Sequence, residues 1–374
     1  MRRFRRTVVA AALAVAVVAG TAGWAAGDSR PAVTGPPPGS AAWRAGSAGG
    51  RALPDPEAAS PYEVARFFAA LDGDARRELV RAHPLVVGNL DGAPLPLRYE
   101  ANRLAVLATG EARYASLAGP GRQILAFDPR GRGQVVEVFG DLERAAHVSV
   151  VVPGSDNDAA THDAARDPHT GPAGTARALR AAAGEGTAVI AWTGYTTPVG
   201  VGLDAATGRL AAAGAVRLAR FTAGLDAVGV PDPVLFCHSY GSVVCGLAAR
   251  HTDASDVVVL GSPGMRAETA AGLGTRARVW AARGPSDWIA DVPNVEFAGL
   301  GHGADPASPA FGARRVPAGD VRGHTGYFVP GTGSLAAFAA IAKGELVLDR
   351  LLDLLLIGVL RAWLAAPGSG APAW

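Results

Sequence analysis

Lysine is nearly missing from this sequence: Lys343 is the only one among 374 residues, and arginine carries the rest of the basic charge. With 35 basic and 33 acidic residues the formal net charge is +2, so there is no basic footprint for nucleic acid. Cysteine is scarce, with Cys237 and Cys245 alone. An even pair in an exported chain suits a disulfide. Cys237, however, falls at the end of a strand and Cys245 in the helix that packs on it. Such elements lie about 10 Å apart axis to axis, and a bridge needs Cα atoms within about 7 Å. The expectation is two small buried thiols. No set of His, Cys and carboxylate residues has metal-ligand spacing, and no Gly-rich phosphate loop precedes a helix, so neither metal nor cofactor is expected. The length suits one large α/β domain with extensions.

What is present begins with a targeting segment at residues 1–26. Arg2, Arg3, Arg5 and Arg6 precede an apolar and small-residue run from Thr7 to Ala22, and no acid occurs before Asp28. This reads as an export signal, with an uncleaved anchor as the rival. The expected location is secreted or in the cell envelope. Residues 27–60, rich in Pro, Gly and Ala, read as a disordered linker. Residues 61–118 show helical spacing at Val64, Phe67, Phe68 and Leu71 and are expected to pack on the core and shape the entrance to its site. Residues 119–344 open with a β-hairpin around Arg130-Gly131-Arg132-Gly133. Apolar strands then alternate with helices, which predicts a mostly parallel central sheet with helices on both faces. The Leu-rich stretch 345–374 carries Asp349, Arg350, Asp353 and Arg361 and is no clean membrane span. It reads as a docked helix, with a membrane or self-association contact as the sharper alternative.

One stretch organises the rest. Val234 to Phe236 reads as a buried strand, Val243 to Ala249 as a helix, and Cys237-His238-Ser239-Tyr240-Gly241 lies between them. That is the context of a Gly-x-Ser-x-Gly nucleophile elbow, with Cys237 in the place of the first glycine. A serine needs a base, a carboxylate to orient the base, and donors for the oxyanion. In the order Ser, acid, His, the choices are Asp287, just past the second strand after the elbow, and His324, between the last strand and the last helix. Asp291 is the alternative acid and His302 the alternative base. The oxyanion donors are expected from the backbone at Tyr240 and at Gly154-Ser155. Only about a dozen residues separate Gly264 from the Arg278 strand, so no large lid is inserted there.

Several separated motifs carry a resemblance. They are His83-Pro84 with Gly88-Asn89-Leu90-Asp91-Gly92, Ala101-Asn102-Arg103, Val152-Pro153-Gly154, Trp192-Thr193-Gly194-Tyr195, His238-Ser239-Tyr240-Gly241-Ser242, Asp305-Pro306 to Phe311-Gly312, and Gly323-His324 to Tyr327-Phe328. Over about Pro61 to Gly344 the chain resembles an actinobacterial family of α/β-hydrolase-like domains of unknown function. High Ala, Gly and Arg with almost no Lys is similar to proteins of GC-rich actinobacteria. The resemblance implies an α/β-hydrolase fold and serine-hydrolase chemistry, and it implies no substrate. The resulting expectation is an exported hydrolase acting on a small-molecule or lipid ester. A non-catalytic binding protein of the cell envelope and an amidase or peptidase are the alternatives.

Overall fold

The computed structural model describes residues 29–163 and 169–345. The expected export signal lies outside the described residues, as does the Leu-rich segment beyond Glu345. No described helix is long and apolar enough to cross a membrane.

The stretch expected to be a disordered linker is structured from Ser29 onward. Helix α1 (Ser40–Arg44) leads into a small antiparallel pair, β1 (Ser47–Ala48) and β2 (Arg51–Ala52). Trp43 is fully buried, its indole N–H donates to the Pro54 carbonyl at 2.6 Å, and its ring meets His83 edge-on at 5.4 Å. Burying one tryptophan removes roughly 200 Å² from water, enough to anchor a short segment. A Pro- and Gly-rich composition gives that single aromatic too little weight.

Next come α2 (Pro61–Ala69), α3 (Gly73–Ala82), α4 (Pro84–Gly88) and α5 (Leu95–Thr109). Ser60 and Glu63 form a reciprocal capping box that starts α2, and the Asp72 side chain caps α3. The apolar faces of these helices close on Trp43 and Leu53, so the element has a core of its own.

It is also docked. Asn102 Nδ2 donates to the carbonyls of Gly88 and Ile124, each at 3.0 Å, and Asn89 Nδ2 donates to Phe127 O at 2.6 Å. The buried Arg98 pairs with Asp91 at 3.1 Å. The motif residues of this region thus join helices to strands. The element nears the site's surroundings where Tyr114 packs in one cluster with Phe127, Val135 and Ala159, the last of these in the connection after β5.

The body contains β3 (Gln123–Asp128), β4 (Gln134–Phe139), β5 (His147–Val152), α6 (Pro172–Ala183), β6 (Thr187–Thr193), α7 (Leu203–Ala206), α8 (Arg209–Ala227), β7 (Val234–His238), α9 (Gly241–Ala248), β8 (Asp256–Leu260) and β9 (Arg278–Ala282). After them come the small pair β10 (Glu296–Phe297) and β11 (Leu300–Gly301), then β12 (Arg314–Arg315) and α10 (Gly333–Ala342). The eight-stranded sheet runs β12-β9-β8-β7-β5-β6-β4-β3, parallel from β12 to β6 and antiparallel at β6–β4 and β4–β3.

Side chains alternate between the two faces. Val148, Val150 and Val152 join Leu235, Val257 and Val259 beneath α8 and α9, while Val151, Phe236, Val258 and Leu260 meet α6 and α10 on the other side. Both faces are covered, so the strands are apolar almost throughout. The carboxyl ends of the parallel strands share one edge, where ligands bind in such sheets.

Candidate active site

Ser239 follows β7 at this edge and adopts φ +54, a left-handed conformation that costs a non-glycine residue about 1 kcal/mol. Backbone bonds hold it there. Its N–H donates to Leu260 O at 2.9 Å, and its carbonyl accepts from the Ser242 hydroxyl at 2.6 Å. Ser262 Oγ lies 2.6 Å from Ser242 Oγ and accepts from the Gly264 N–H at 3.0 Å, which ties the elbow to the β8 connection. Gly241 is required by space: a methyl group there would lie 2.4 Å from the Val152 carbonyl oxygen. Gly154 is required in the same way, since a methyl would lie 2.6 Å from Ser239 Cβ.

The two cysteines correct the expectation of free thiols. Cys237 and Cys245 form a disulfide with Cα atoms 6.4 Å apart. The axis spacing of a packed strand and helix does not apply here, because only Ser239 and Tyr240 separate β7 from α9. So close to their junction the two elements have not yet diverged. The bridge joins the strand that ends in the serine to the helix that follows it.

Ser239 Oγ lies 2.8 Å from Nε2 of His324, and Nδ1 of His324 lies 2.8 Å from Asp287 Oδ1. A carboxylate only accepts, so Nδ1 carries the proton and Nε2 is left to accept from the serine hydroxyl. Asp287 is buried, starts the short turn Trp288–Asp291, and accepts from the Ile289 N–H at 3.0 Å and from the Tyr327 hydroxyl at 2.6 Å. Burial is the largest influence on its pKa and would raise it. The hydrogen bonds from His324, Tyr327 and Ile289 together outweigh burial and hold the carboxyl below its ordinary value.

Three residues given no role from the sequence complete the support. Tyr327 also accepts from the Gly284 N–H at 3.0 Å, so one phenol joins the acid-bearing loop to the His324 loop. Ser286 accepts from the Gly323 N–H at 3.0 Å. His238, directly before the serine, donates Nε2–H to the His324 carbonyl at 2.7 Å. Burial first, and the neighbouring His324 second, push the His238 pKa down to about 4, so it is neutral at pH 7. The signal for these residues was their place beside the motif residues, which carries no role until the loops are folded together.

The connection after β5 lies against the serine. Tyr195 donates to Pro153 O at 2.8 Å, and Asn157 Nδ2 donates to Ser155 O at 2.7 Å. Among the described residues the N–H groups of Ser155 and Tyr240 have no acceptor. Tyr240 turns its side chain away, donating to Thr207 O at 2.6 Å, and burial raises its pKa to about 12.

The alternatives fall elsewhere. His302 is buried, donates Nε2–H to Ala205 O at 2.7 Å and packs edge-on against Tyr240 at 5.6 Å, so it supports the elbow from behind without meeting Ser239. Asp291 is exposed at the end of its turn. Asp305, of the Asp305-Pro306 motif, is paired with Arg283 at 2.6 Å.

Among the described residues no group of three or more His, Cys, Asp and Glu is placed to hold a metal ion. A cavity of about 580 Å³ opens between Ala65, Leu95, Glu143 and Val230, and its lining includes no member of the Ser–His–Asp set. The hydrogen-bonded geometry, and not cavity size, marks the site.

A sequence family described as Alpha/beta hydrolase matches residues 128–297, a span that includes Ser239 and Asp287 and ends before His324. The chain has the α/β-hydrolase fold. Two uncharacterized proteins of Mycobacterium tuberculosis, one from each of two strains, are 29% identical to it over 78% of this chain. The chain spans 57% of the length of those relatives. Among solved structures, a serine hydrolase without lid from Xanthomonas campestris is 16% identical, with a TM-score of 0.37, over 59% of this chain and 94% of its own.

Proposed function

We propose that the chain is an exported serine hydrolase that cleaves a carboxylic ester through an acyl-enzyme. The observation that carries this reading is the continuous Ser239–His324–Asp287 hydrogen-bond chain at the carboxyl edge of the sheet. Ser239 Oγ bonds to the acyl carbon as its proton passes to His324 Nε2. The carbonyl electron pair moves to oxygen, which accepts from the N–H groups of Ser155 and Tyr240. When the pair returns, the ester C–O bond breaks and the alcohol leaves with the proton held by His324. Water then adds to the acyl carbon and gives a proton to His324. The acid departs as Ser239 Oγ takes that proton back. Asp287 keeps His324 in the working tautomer and stabilises the imidazolium. The Cys237–Cys245 bridge supports the export reading, since disulfides persist in oxidising compartments.

Labelling by a fluorophosphonate tests the nucleophile. The wild type should be labelled, and Ser239→Ala should lose both labelling and esterase activity, by about 10⁶-fold in kcat, with an unchanged circular dichroism spectrum. Equal labelling of both proteins would remove Ser239 from the mechanism.

A further inference from the structure

The exposed large apolar side chains are concentrated. Six of the nine among the described residues follow the carboxyl ends of two strands: Val199, Val201 and Leu203 after β6, and Trp288, Val295 and Phe297 after β9. Val201 is 77% exposed and Phe297 78%. Singly scattered apolar residues on a surface need no explanation, but a cluster around one mouth does.

Both connections are built into the surroundings of Ser239. The Gly200 N–H donates to Asp156 Oδ1 and the Asp156 N–H to Pro198 O, each at 2.8 Å, just past the Gly154 that abuts the serine. The Trp288 ring lies 4.7 Å from that of His324. The two connections also meet. Thr207 and Leu300 form an antiparallel bridge, and His302, beyond β11, donates to Ala205 O at 2.7 Å. The two connections that carry these apolar residues are therefore tied to each other and to the loops beside Ser239 and His324, and together they make an apolar rim.

We propose that this rim takes the long acyl chain of an ester presented from a lipid aggregate. The inference rests on the hydrolase reading and names its substrate class. The occupant follows from position. The carbon attacked by Ser239 carries the acyl chain, and the connections tied to the loops beside Ser239 and His324 offer that chain exposed apolar surface. A short or polar acid would leave Val201 and Phe297 in water, whereas a long chain would cover them and gain the free energy of removing apolar surface from water.

The test compares the full-length chain with its Val201→Ser/Phe297→Ser double variant, so that the terminal segments are the same in both. Hydrolysis is measured on 4-nitrophenyl butyrate in solution and on 4-nitrophenyl palmitate in uncharged detergent micelles. The palmitate-to-butyrate activity ratio should fall at least about tenfold in the variant, with melting temperature unchanged. A ratio unchanged within about twofold, while butyrate is still cleaved, overturns the rim proposal alone. A wild-type dimer that the double variant breaks, seen by sedimentation velocity, overturns it in favour of a second copy covering the rim. If neither ester is cleaved and fluorophosphonate does not label Ser239, the hydrolase reading fails instead.

Discussion

His324 stands 2.8 Å from Asp287 and His162 stands 2.9 Å from Glu137, and each carboxylate residue is only 3% exposed. The pairs differ in what surrounds them. The free oxygen of Asp287 accepts from a neutral phenol, Tyr327, and among the described residues no arginine or lysine pairs with it. Glu137 is bound by the Arg122 guanidinium at 2.6 Å, and Arg122 also pairs with Asp163. The other nitrogen of His324 meets a serine hydroxyl, and its side chain is 14% exposed. The other nitrogen of His162 has no partner among the described residues, and its side chain is fully buried. A histidine on a buried carboxylate is thus a structural unit in itself. The proposed chemistry needs three things more: a carboxylate with no cation bound, a hydroxyl on the far nitrogen, and room for a reactant to arrive.

Conservative changes in the two carboxylates put the contrast to its hardest test. Asp287→Asn should lower kcat by about 10³–10⁴, because the amide favours the wrong tautomer of His324. Glu137→Gln should leave kcat within about tenfold and instead cost about 1–3 kcal/mol of stability, by weakening the partner of a half-buried arginine. Urea melts and ester kinetics on both variants decide the matter; comparable kcat losses would abolish the distinction. A sharper version sets His324→Ala, with a loss like that of Ser239→Ala, against His302→Ala, which should cost far less.

A smaller effect is expected at the elbow. Peptide mapping of unreduced protein should show Cys237 linked to Cys245. Replacing both with serine should cost about 2–3 kcal/mol, the amount expected for closing a short loop. Two alkylatable thiols in the unreduced, unfolded chain would contradict the bridge.

The last expected effect, spread over a range of pH, concerns His238. Because burial lowers the folded pKa of His238 to about 4 from an ordinary 6.5, the unfolded chain takes up a proton first as pH falls. The stability that His238 contributes is therefore complete above about pH 6.5 and declines toward pH 4, by at most about 1.4 kcal/mol per pH unit. His238→Gln should flatten that slope; an identical pH profile would show that His238 is not held neutral.

Much of this was legible in the sequence because it depends on local pattern. Alternating apolar strands and helices specify a sheet covered on both faces, as Val150, Val151 and Val152 show by facing alternate clusters. The elbow was legible too, since Ser239 lies between an apolar strand and a small-residue helix, and Gly241 stands where only a small residue clears the Val152 carbonyl. The order of Ser239, Asp287 and His324 also singled out the three side chains that the fold brings within hydrogen-bond distance.

What only the tertiary structure decided involves residues far apart along the chain or a distance that spacing cannot supply. Residues 29–60 looked unstructured because their one strong apolar anchor, Trp43, is buried against helices that begin later. The cysteines looked too far apart because average packing distances fail beside a junction. Tyr327 and His238 carried no role until the loops after β9 and β12 were folded onto the elbow. A hydrogen bond between residues tens of positions apart is set by where the sheet places their loops, and local sequence pattern carries no measure of that distance.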